Sequence, residues 1–410
     1  ELHYNRIANP LLWFVHHGMA DQLLERPDAP HTVRAWEEGY VKVNERLSAA
    51  AAALPPNPLI LVQDYHLFLA PRLLRRSRPD ALVAHFLHVP WPEAESWDKL
   101  PGYIASAILD GMLGADLLGF QTPADAGRFL DTCSRCGQGG NVLGSSFVGM
   151  DGHTTLVRTY PITVDVSQVI QTALEGERQE LWRRISWPER MQTVARVDRL
   201  DPAKNLTVGF LAFERLLERE PALRGHVRFV AHLVPSRTDV PEYRYERERV
   251  LAIADAINSR FGDAGWKPIE LFLENNRAFA YTLLRRADVL LFNSLADGMN
   301  LVAKEAVLLN PKVAIVLSRK AGAWNELGPW ALGIDPANVE QTAEVLRQAL
   351  AMSPQQRRQR VSEMSTMVAR RDLTGWFDQQ LEDLVACGGE LTSGRPAAHD
   401  HVLAAAANLA

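Results

Sequence analysis

The amino-acid sequence predicts an α/β protein made of two doubly wound, Rossmann-like domains that face a central cleft. The chain has 410 residues, more than one domain of ordinary size holds. Short runs rich in Val, Ile, Leu and Phe alternate with longer amphipathic segments, which is typical of parallel strands covered by helices on both faces. The alternation begins again after a polar helix that ends near Pro188, so we expect two such units with a linker near 160–190.

The first unit is predicted to span residues 1–160. Its strands are expected at 58–63, 81–87 and 116–120, its helices near 34–52, 66–76, 101–112 and 123–133, and a glycine-rich loop at 137–152. The chain enters at Glu1 directly into an apolar-periodic segment around Trp13. We therefore expect that the first strand of this domain and a glycine-rich loop precede the given sequence.

The second unit is predicted to span residues 161–370. Its strands are expected near 191–197, 227–233, 269–273, 288–292 and 313–317, and its last helices at about 338–351 and 354–370. Residues 371–410 are predicted to form a C-terminal helix at about 373–386, which crosses back to the first domain, and then a frayed tail beyond Cys387.

Composition and charge exclude several classes of partner. Lys and Arg total 44 against 49 Asp and Glu, a net charge of −5, and the basic residues are spread along the chain. No nucleic-acid and no anionic-membrane partner is therefore expected. No apolar run approaches the roughly 20 residues that span a bilayer, and no basic region followed by an apolar one opens the chain, so the cytoplasm is the predicted compartment. Whether the chain forms a homo-oligomer stays open.

Several kinds of chemistry lack their sequence signature. Three cysteines cannot form an even disulfide framework, and the single CxxC of Cys133 and Cys136 has no second pair, so we expect neither a metal nor a cofactor. No GxGxxG stands at a strand–helix junction, and GxxxxGK[ST], GxSxG and HExxH are absent from the sequence. Dehydrogenase, P-loop kinase, serine hydrolase and zincin interpretations lose their main support.

Ligands of open α/β sheets bind outside the carboxyl ends of the strands, so polar residues just after each strand are the candidates. Asp64 follows the first predicted strand and His88 the second, which places a carboxylate and an imidazole on neighbouring loops. The alternative is that Asp64 caps the following helix and His88 is a satisfied interior histidine. Taken together, the two residues favour a shared substrate.

Two cations follow the first strand of the second domain. Arg199 and Lys204 flank Asp201, and Lys204 lies where the next helix begins. A guanidinium, an ammonium and the free N–H groups of a helix start suit a diphosphate. The alternative is a pair of solvated surface charges around a turn made by Pro202.

A further candidate segment, residues 297–302, follows the strand that ends at Phe292. Gly298 allows the backbone to approach a ligand, and amides at the start of the next helix suit a phosphate. Glu305, about one turn into that helix, suits ribose hydroxyls. The alternative is an ordinary helix cap by Asp297. With Arg237 as another cation at this rim, the layout favours a nucleotide-sugar transferase.

These residues lie in motifs that extend over most of the chain. In order they are YNRIANPLLW (4–13), QDYHL (63–67), FLHVPWP (86–92), MLGADLLGFQT (112–122), YPI (160–162), DRLDPAKN (198–205), PSR (235–237), INSRFG (257–262), DGMNLVAKE (297–305) and GAWNEL (322–327). From Tyr4 to about Leu384 the chain resembles the retaining GT-B glycosyltransferases of the trehalose-6-phosphate synthase type. The resemblance implies the GT-B fold and transfer of glucose from a nucleoside diphosphate glucose to the 1-hydroxyl of glucose 6-phosphate, with retention and without a bound metal.

Carried over motif by motif, the resemblance also assigns roles. The acceptor would be bound by Tyr4, Trp13, Asp64 and Arg237, with Arg237 on its phosphate. The donor diphosphate would be held by Arg199 and Lys204, and His88 would contact the donor sugar near the reacting bond. The donor glucose and phosphate would be bound by Asp297 and by the backbone of Gly298, Met299, Asn300, Leu301 and Val302, and the ribose by Glu305. The residues implied in catalysis are Arg199, Lys204, Asp64 and His88.

The sequence departs from the family pattern at two places. Pro202-Ala203-Lys204-Asn205 replaces the usual tyrosine-lysine-glycine surroundings, and Asn293-Ser294-Leu295-Ala296 stands where an arginine commonly precedes the aspartate. Both changes resemble the related pseudo-glycosyltransferases that join cyclitols and use GDP donors, whereas Met299 and Lys304 keep the synthase pattern. We therefore favour GDP-glucose over UDP-glucose as the donor. Two alternative functions stay open, a cyclitol-coupling pseudo-glycosyltransferase and a catalytically silent sugar-phosphate sensor.

Overall fold

A computed structural model describes residues 1–388, and its strands form two six-stranded sheets. The strands are β1 (Leu59–Gln63), β2 (Leu82–Phe86), β3 (Leu117–Phe120), β4 (Gly140–Leu143), β5 (Ser146–Gly149), β6 (Thr154–Thr159), β7 (Gln192–Leu200), β8 (Val227–Pro235), β9 (Ile269–Phe272), β10 (Val289–Phe292), β11 (Ala314–Ser318) and β12 (Leu332–Ile334). The predicted tail beyond Cys387 lies, apart from Gly388, outside the described residues.

Helices connect and cover these strands. They are α1 (Trp13–His16), α2 (Pro30–Ala35), α3 (Lys42–Ala50), α4 (Ala70–Ser77), α5 (Gly102–Met112), α6 (Pro123–Arg135), α7 (Val166–Arg178), α8 (Leu206–Arg219), α9 (Pro241–Phe261), α10 (Arg277–Arg286), α11 (Leu301–Leu309), α12 (Trp324–Leu327), α13 (Val339–Ala351), α14 (Pro354–Ala369) and α15 (Leu373–Cys387). Wider π-helical turns at Leu2–Leu12 and Trp36–Val41 lead into α1 and α3. Within residues 1–388, no helix is both long and apolar enough to cross a lipid bilayer.

The first sheet has the strand order β1-β2-β3-β6-β5-β4. Strands β1, β2, β3 and β6 are parallel, whereas β4 and β5 form an antiparallel hairpin that pairs with β6. The predicted glycine-rich loop at 137–152 is therefore wrong, and β6 was not predicted. The reason is local: Gly144, at φ 61°, supplies the left-handed residue of a two-residue hairpin turn between β4 and β5.

The second sheet is parallel throughout, with the strand order β9-β8-β7-β10-β11-β12. Counted from β7 this is the order 3-2-1-4-5-6 of a doubly wound sheet, which reverses direction between β7 and β10. A ligand is expected outside the carboxyl ends of these two strands, because the connections that follow them diverge there. In the described part of the first sheet, the order β1-β2-β3-β6 contains no such reversal.

In the second half two predicted boundaries shift and one strand was not predicted. Strand β7 extends to Leu200 instead of ending at 197, so Arg199 belongs to the strand and does not follow it. The polar helix expected to end near Pro188 ends at Arg178, and β12 was not predicted. Strand β7 is longer because its last residues stay paired with β8 as far as Leu200 and Pro235.

Both sheets are covered on two faces. In β2, Leu82, Ala84 and Phe86 pack with Leu384 of α15, whereas Val83 belongs to the apolar core on the other side of the sheet. The second sheet divides its buried residues between two cores in the same way. Each half of the chain therefore has its own hydrophobic interior.

The C-terminal helix α15 returns to the first sheet, where it packs on β2 and β3. Its Trp376 Nε1 donates to the carbonyl of Tyr160 at 2.9 Å, and the Tyr160 hydroxyl donates to Asp383 at 2.6 Å. Tyr160 directly follows β6, where the chain leaves the first half for the first time. The two places where the chain passes between the halves are thus bonded to each other. The domain limits at 160 and 370 stay predictions.

Candidate active site

The carboxyl ends of the two sheets enclose a cavity of about 240 Å³. Eight of the predicted site residues line it: Trp13, Asp64, His88, Arg199, Lys204, Arg237, Asp297 and Gly298. Six others do not: Tyr4, Met299, Asn300, Leu301, Val302 and Glu305. The structure thus brings most of the predicted acceptor and phosphate groups to one place, while their roles stay predictions.

Asp64 lies in a strained backbone conformation, with φ at 65°. The strain is held by two hydrogen bonds, since its N–H donates to Phe86 at 2.8 Å and its carbonyl accepts from His85 Nε2 at 3.0 Å. The side chain makes no capping bond to the turn that follows, so the interpretation as a helix cap fails. Its Oδ1 instead accepts from the N–H of His88 at 3.3 Å.

Asp64 and His88 influence each other's ionisation. Burial raises the pKa of the Asp64 carboxyl, against the His88 imidazole and three backbone N–H groups that lower it. Burial lowers the pKa of His88, against Asp64, which raises it. His88 Nε2 donates to Gln63 Oε1 at 2.9 Å, so the Nδ1 atom of the neutral ring carries a lone pair. His88 is therefore partly satisfied, and still faces the cavity.

Two arginines of β7 differ in role although they are three residues apart. Arg196 is fully buried and donates to Asp198 at 2.7 Å and to Asn293 Oδ1 at 2.9 Å. The Arg199 side chain is 46% exposed, faces the cavity and lies 3.5 Å from the Asp201 carboxylate. Arg196 braces the loop after β10, and Arg199 is the cation available to a ligand.

Lys204 is not a solvated surface charge, since its side chain is only 15% exposed. Its Nζ bonds Asp297 and lies 3.9 Å from Asp198. Burial lowers the pKa of Lys204, but Asp297 and Asp198 outweigh it and hold the pKa above its ordinary value. The ammonium is therefore charged at neutral pH and is compensated by the carboxylates of Asp297 and Asp198.

Asp297 anchors the start of α11 without capping it. Its Oδ2 accepts from Lys204, from Ser294 Oγ at 3.1 Å and from Asn300 Nδ2 at 3.1 Å. Asn300, at φ 72°, is the residue whose side chain caps the helix by accepting from the N–H of Ala303. The interpretation of Asp297 as the helix cap is therefore wrong. The first N–H groups of α11 have no partner within the helix and point outward from its N-terminus.

Gly298 makes a close backbone approach, but the approach is to the protein itself. A Cβ at this position would overlap the carbonyl oxygen of His88, and one at Gly322 would overlap the carbonyl of Gly298. The two halves therefore touch backbone to backbone beside the cavity, whereas the sequence predicts that this glycine admits a ligand. Only glycine permits this contact.

Glu305 and Met299 lie apart from the cavity. Glu305 accepts from the Tyr281 hydroxyl at 2.5 Å and lies 3.5 Å from Arg277, and burial raises its pKa against these two partners. The Met299 side chain is buried in the apolar core of the second half. Any contact of Met299 with a ligand would have to come from its backbone.

Arg237 connects the two halves across the cavity. It lies at φ 47°, bonds the Tyr243 hydroxyl, donates to the Tyr65 hydroxyl at 3.0 Å and stacks on Trp13 at 4.1 Å. Tyr65 and Trp13 belong to the first half, and Tyr243 to α9 of the second. Tyr4 is 49% exposed and stacks on the His66 ring at 5.8 Å, next to this cluster.

Sequence reasoning missed six residues that line the cavity: His17, Tyr65, His66, Val89, Ala203 and Ala296. Four of them directly adjoin predicted residues, and His66 lies two positions after Asp64, so the signal was their position in the same loops. His17 lies one helical turn after Trp13, a spacing that places both on one face. In the described part of the chain, no group of three or more His, Cys, Asp or Glu is placed to hold a metal ion.

Comparisons with known proteins agree with this architecture. The family model described as Glycosyltransferase family 20 matches residues 1–386. The trehalose-6-phosphate synthase of Escherichia coli K12 is 33% identical over 389 residues, which is 93% of this chain and 79% of that protein. The UDP-forming α,α-trehalose-phosphate synthase of Burkholderia vietnamiensis superposes with a TM-score of 0.85 at 32% identity, over 95% of this chain and 82% of that one.

A second solved structure is that of the UDP-forming α,α-trehalose-phosphate synthase of Burkholderia xenovorans in complex with glucose 6-phosphate. It has a TM-score of 0.84 at 32% identity and covers 93% of this chain and 84% of that one. Two parallel-rich α/β halves around a shared cleft make this protein a glycosyltransferase of the GT-B fold. The chain belongs to glycosyltransferase family 20, the family of the trehalose-6-phosphate synthases.

Proposed function

We propose that this protein is an α,α-trehalose-6-phosphate synthase, which transfers glucose from a nucleoside diphosphate glucose to the 1-hydroxyl of glucose 6-phosphate with retention. One observation carries the proposal: Arg199, Lys204 and Arg237 meet the Asp64 and His88 loops in a single cavity. The relatives of known structure are named as synthases of this product, and one was solved with glucose 6-phosphate.

The donor diphosphate is proposed to lie against Arg199, Lys204 and the N-terminus of α11. In the reaction the bond between the anomeric carbon and the phosphate oxygen breaks, and negative charge builds up on the diphosphate. A buried ammonium and a guanidinium already in place stabilise that charge more than they stabilise the bound substrate. Lys204 is suited to this because its neighbours keep it protonated.

The acceptor hydroxyl is proposed to attack from the same face that the diphosphate leaves. Its proton passes to the departing phosphate oxygen, so the new glycosidic bond forms without a protein nucleophile. Of the two carboxylates that line the cavity, Asp297 is bound by Lys204 and Asp64 by the N–H of His88. Both are therefore proposed to bind hydroxyl groups, in agreement with the roles that the family resemblance implies.

The acceptor phosphate is proposed to bind Arg237. Its guanidinium has five N–H donors, of which the two tyrosine hydroxyls use only part, and a phosphate suits the remaining ones. Trp13, on which Arg237 stacks, provides an apolar surface for the sugar ring. Tyr4 is proposed to complete this end of the site.

The identity of the donor base is a separate question. Two of the residues that favoured GDP-glucose, Asn205 and Asn293, form hydrogen bonds within the protein. Asn205 Nδ2 donates to the carbonyls of Asn293 and Pro336 at 3.1 and 2.7 Å, and Asn293 Nδ2 donates back to Asn205 at 3.0 Å. Both are buried and neither lines the cavity. The solved relatives are named UDP-forming, so we favour UDP-glucose, and GDP-glucose stays the prediction from sequence.

The test is a product assay with the purified protein. Incubation with glucose 6-phosphate and UDP-, GDP- or ADP-glucose is expected to yield a disaccharide phosphate with the α,α configuration by mass spectrometry and NMR. Absence of that product with every donor would overturn the proposal. A tenfold advantage of GDP-glucose in kcat/KM, about 1.4 kcal/mol in transition-state binding, would restore the GDP prediction.

The same assay separates the two alternatives. A pseudo-glycosyltransferase would prefer an aminocyclitol phosphate in competition with glucose 6-phosphate. A silent sensor would bind glucose 6-phosphate in calorimetry without any affinity for a sugar nucleotide. The buried, charged Lys204 favours the synthase over the sensor, because a sensor has no need for a cation that stabilises a leaving diphosphate.

A further inference from the structure

His17 lies where two cavities meet. It lines the 240 Å³ cavity of the candidate active site, and it also lines a neighbouring cavity of about 550 Å³, whose walls include Gly18, Pro90 and Arg319. Asp297 lines both cavities as well. An imidazole from the first half and a carboxylate from the second therefore share the boundary between the two spaces.

One ring nitrogen of His17 is already bonded. Nδ1 lies 2.7 Å from the carbonyl oxygen of Trp13, and because a carbonyl only accepts, Nδ1 carries the hydrogen. The ring also packs on the Trp13 indole, with the ring centroids 3.8 Å apart. These two contacts fix the ring and its tautomer.

The other nitrogen of His17 is left as an acceptor. Burial lowers the pKa of His17 to about 4, against Asp201, Asp297 and the Trp13 carbonyl, which raise it, so the ring is neutral at pH 7. Nε2 of this neutral ring carries a lone pair. It has no hydrogen-bond donor among residues 1–388.

Asp297 offers a second unused acceptor at the same boundary. Its Oδ2 takes the bonds from Lys204, Ser294 and Asn300, whereas its Oδ1 has no donor within the described part of the chain. Both acceptors belong to residues that line the cavity and carry no hydrogen of their own, so each can accept from a donor group of a bound ligand. Hydroxyl groups of a sugar are such donors, while a phosphate is not.

We propose that His17 determines sugar specificity by accepting, through Nε2, a hydrogen bond from a hydroxyl of the transferred glucose, beside the hydroxyl that Asp297 binds. The inference rests on the proposed function and adds a residue to it. An acceptor left without its hydroxyl is buried and unpaired, so a donor that lacks or inverts that hydroxyl is rejected.

Two variants separate the acceptor from the ring. H17F keeps an aromatic ring against Trp13 but has no nitrogen, whereas H17Q keeps an acceptor oxygen and an N–H but no ring. The matched control is H153F, because His153 also donates to a backbone carbonyl, that of Ala115 at 2.9 Å, yet lines neither of the two cavities. All are made in the same chain and compared with the wild type.

The measurement is the Kd of UDP-glucose and of its 2-, 3-, 4- and 6-deoxy analogues, with GDP analogues if the wild type prefers guanine. H17F is expected to weaken the glucose donor about tenfold, and for the one analogue that lacks the bound hydroxyl, wild type and H17F are expected to bind equally. The Kd of H17Q for the glucose donor should lie between those of the wild type and H17F, and the Kd of H153F should equal that of the wild type. An equal loss for every donor, no loss, or a loss confined to the KM of glucose 6-phosphate would overturn the inference.

Binding does not depend on transfer, so the two proposals fail differently. A wild type that shows this binding pattern but makes no disaccharide phosphate would overturn the proposed function and leave the role of His17 standing. A wild type that makes the product while H17F binds all donors normally would do the reverse. If the wild type binds no sugar nucleotide at all, both are wrong.

Discussion

The two halves of the chain contribute different side chains to the active-site cavity. The wall from the first half carries His17, His66 and His88, whereas the wall from the second half carries the arginines and the lysine that line the cavity. Burial lowers the pKa of each histidine, to about 4 for His17 and His66. The first wall is therefore polar and aromatic but carries no permanent positive charge, and such a surface suits hydroxyl groups and sugar rings.

The second wall is its electrostatic opposite. Its three cations are Arg199, Lys204 and Arg237. Asp201 lies 3.5 Å from Arg199, and Asp297 bonds Lys204. A surface of this kind suits phosphates. The difference teaches that each half can be perturbed separately: loss of a cation should reduce the rate or phosphate binding, and changes in the first wall should alter sugar choice and the response to pH.

The largest effect is expected for loss of Lys204. K204A should lower kcat about 10²–10³-fold, because it removes a preorganised cation from the proposed site of the leaving diphosphate, and R199A should act in the same direction. Steady-state kinetics over a range of donor concentrations measures this. The control is K312A, because Lys312 is exposed and precedes the amino end of β11, away from the carboxyl ends of the strands. An unchanged kcat with a raised donor KM would indicate uniform binding instead.

The next effect concerns the acceptor phosphate. R237A should raise the KM of glucose 6-phosphate about 10- to 150-fold, the range for losing a hydrogen bond to a charged group, while donor hydrolysis is spared. R237K should recover only part of the lost affinity for glucose 6-phosphate, because an ammonium lacks the planar guanidinium that can bond two tyrosine hydroxyls and a phosphate together. The exposed Arg247 of α9 provides the control variant R247A. If the acceptor KM of R237A equals that of the wild type, the phosphate binds elsewhere.

The contact between the walls can itself be broken. G298A places a methyl group against the His88 carbonyl, and at about 1–3 kcal/mol for such overpacking it should lower kcat about 5- to 150-fold by holding the halves apart. Small-angle scattering should show a larger radius of gyration. G127A is the control, because a Cβ there meets no atom within 4 Å. A G298A protein with wild-type kcat and dimensions would show that the contact is dispensable.

The smallest effect is a difference in acid sensitivity that arises in the first half. Burial lowers the pKa of His16 to about 3 and of His85 to about 4, whereas the unfolded chain binds these protons near pH 6.5. Between pH 6.5 and about 4 the unfolded state therefore binds more protons, and stability falls as pH falls, by about 1.4 kcal/mol per pH unit for each histidine.

This dependence is measured by urea unfolding at pH 7.5, 6.0 and 5.0. H16F should reduce the slope of the free energy of unfolding against pH by the contribution of about one proton. Phenylalanine fits among the aromatic neighbours Phe68, Trp91 and Trp97 and does not titrate. Comparison of the two proteins cancels opposing groups such as Glu246, whose pKa burial raises to about 7. Parallel curves for wild type and H16F would contradict the assignment.

Sequence reasoning succeeded where a property depends on one strand and the loop after it. Asp64, His88 and Asp297 were found because parallel strands present their carboxyl ends together, and all three line the cavity. Sequence reasoning failed where the local structure depends on contacts with segments distant in the chain. The local composition of the β4–β5 segment predicts a loop because it is rich in glycine, whereas its pairing with β6 makes it a strand pair.

The close contact at Gly298 shows the same limit. A glycine after a strand indicates a close approach but not what approaches it, and here the partner is His88, 210 positions earlier in the numbering. His17 was missed for a related reason, because its ring borders the cavity only through the tertiary structure, which places it with Asp64 of the first half and Asp297 of the second. The choice of donor base depended on Asn205 and Asn293, whose buried mutual bonds no sequence pattern could reveal.

The paired crossings at Tyr160 and Trp376 have a mechanical consequence. Two domains joined by one linker can rotate about several axes, whereas two adjacent linkers restrict the motion mainly to rotation about one hinge axis. Because the Trp376 indole is bonded to the Tyr160 carbonyl, the two linkers stay together at the edge of the first sheet. If the cleft opens, we therefore expect a rotation about this edge, after which closure would return Gly298 to the same carbonyl of His88.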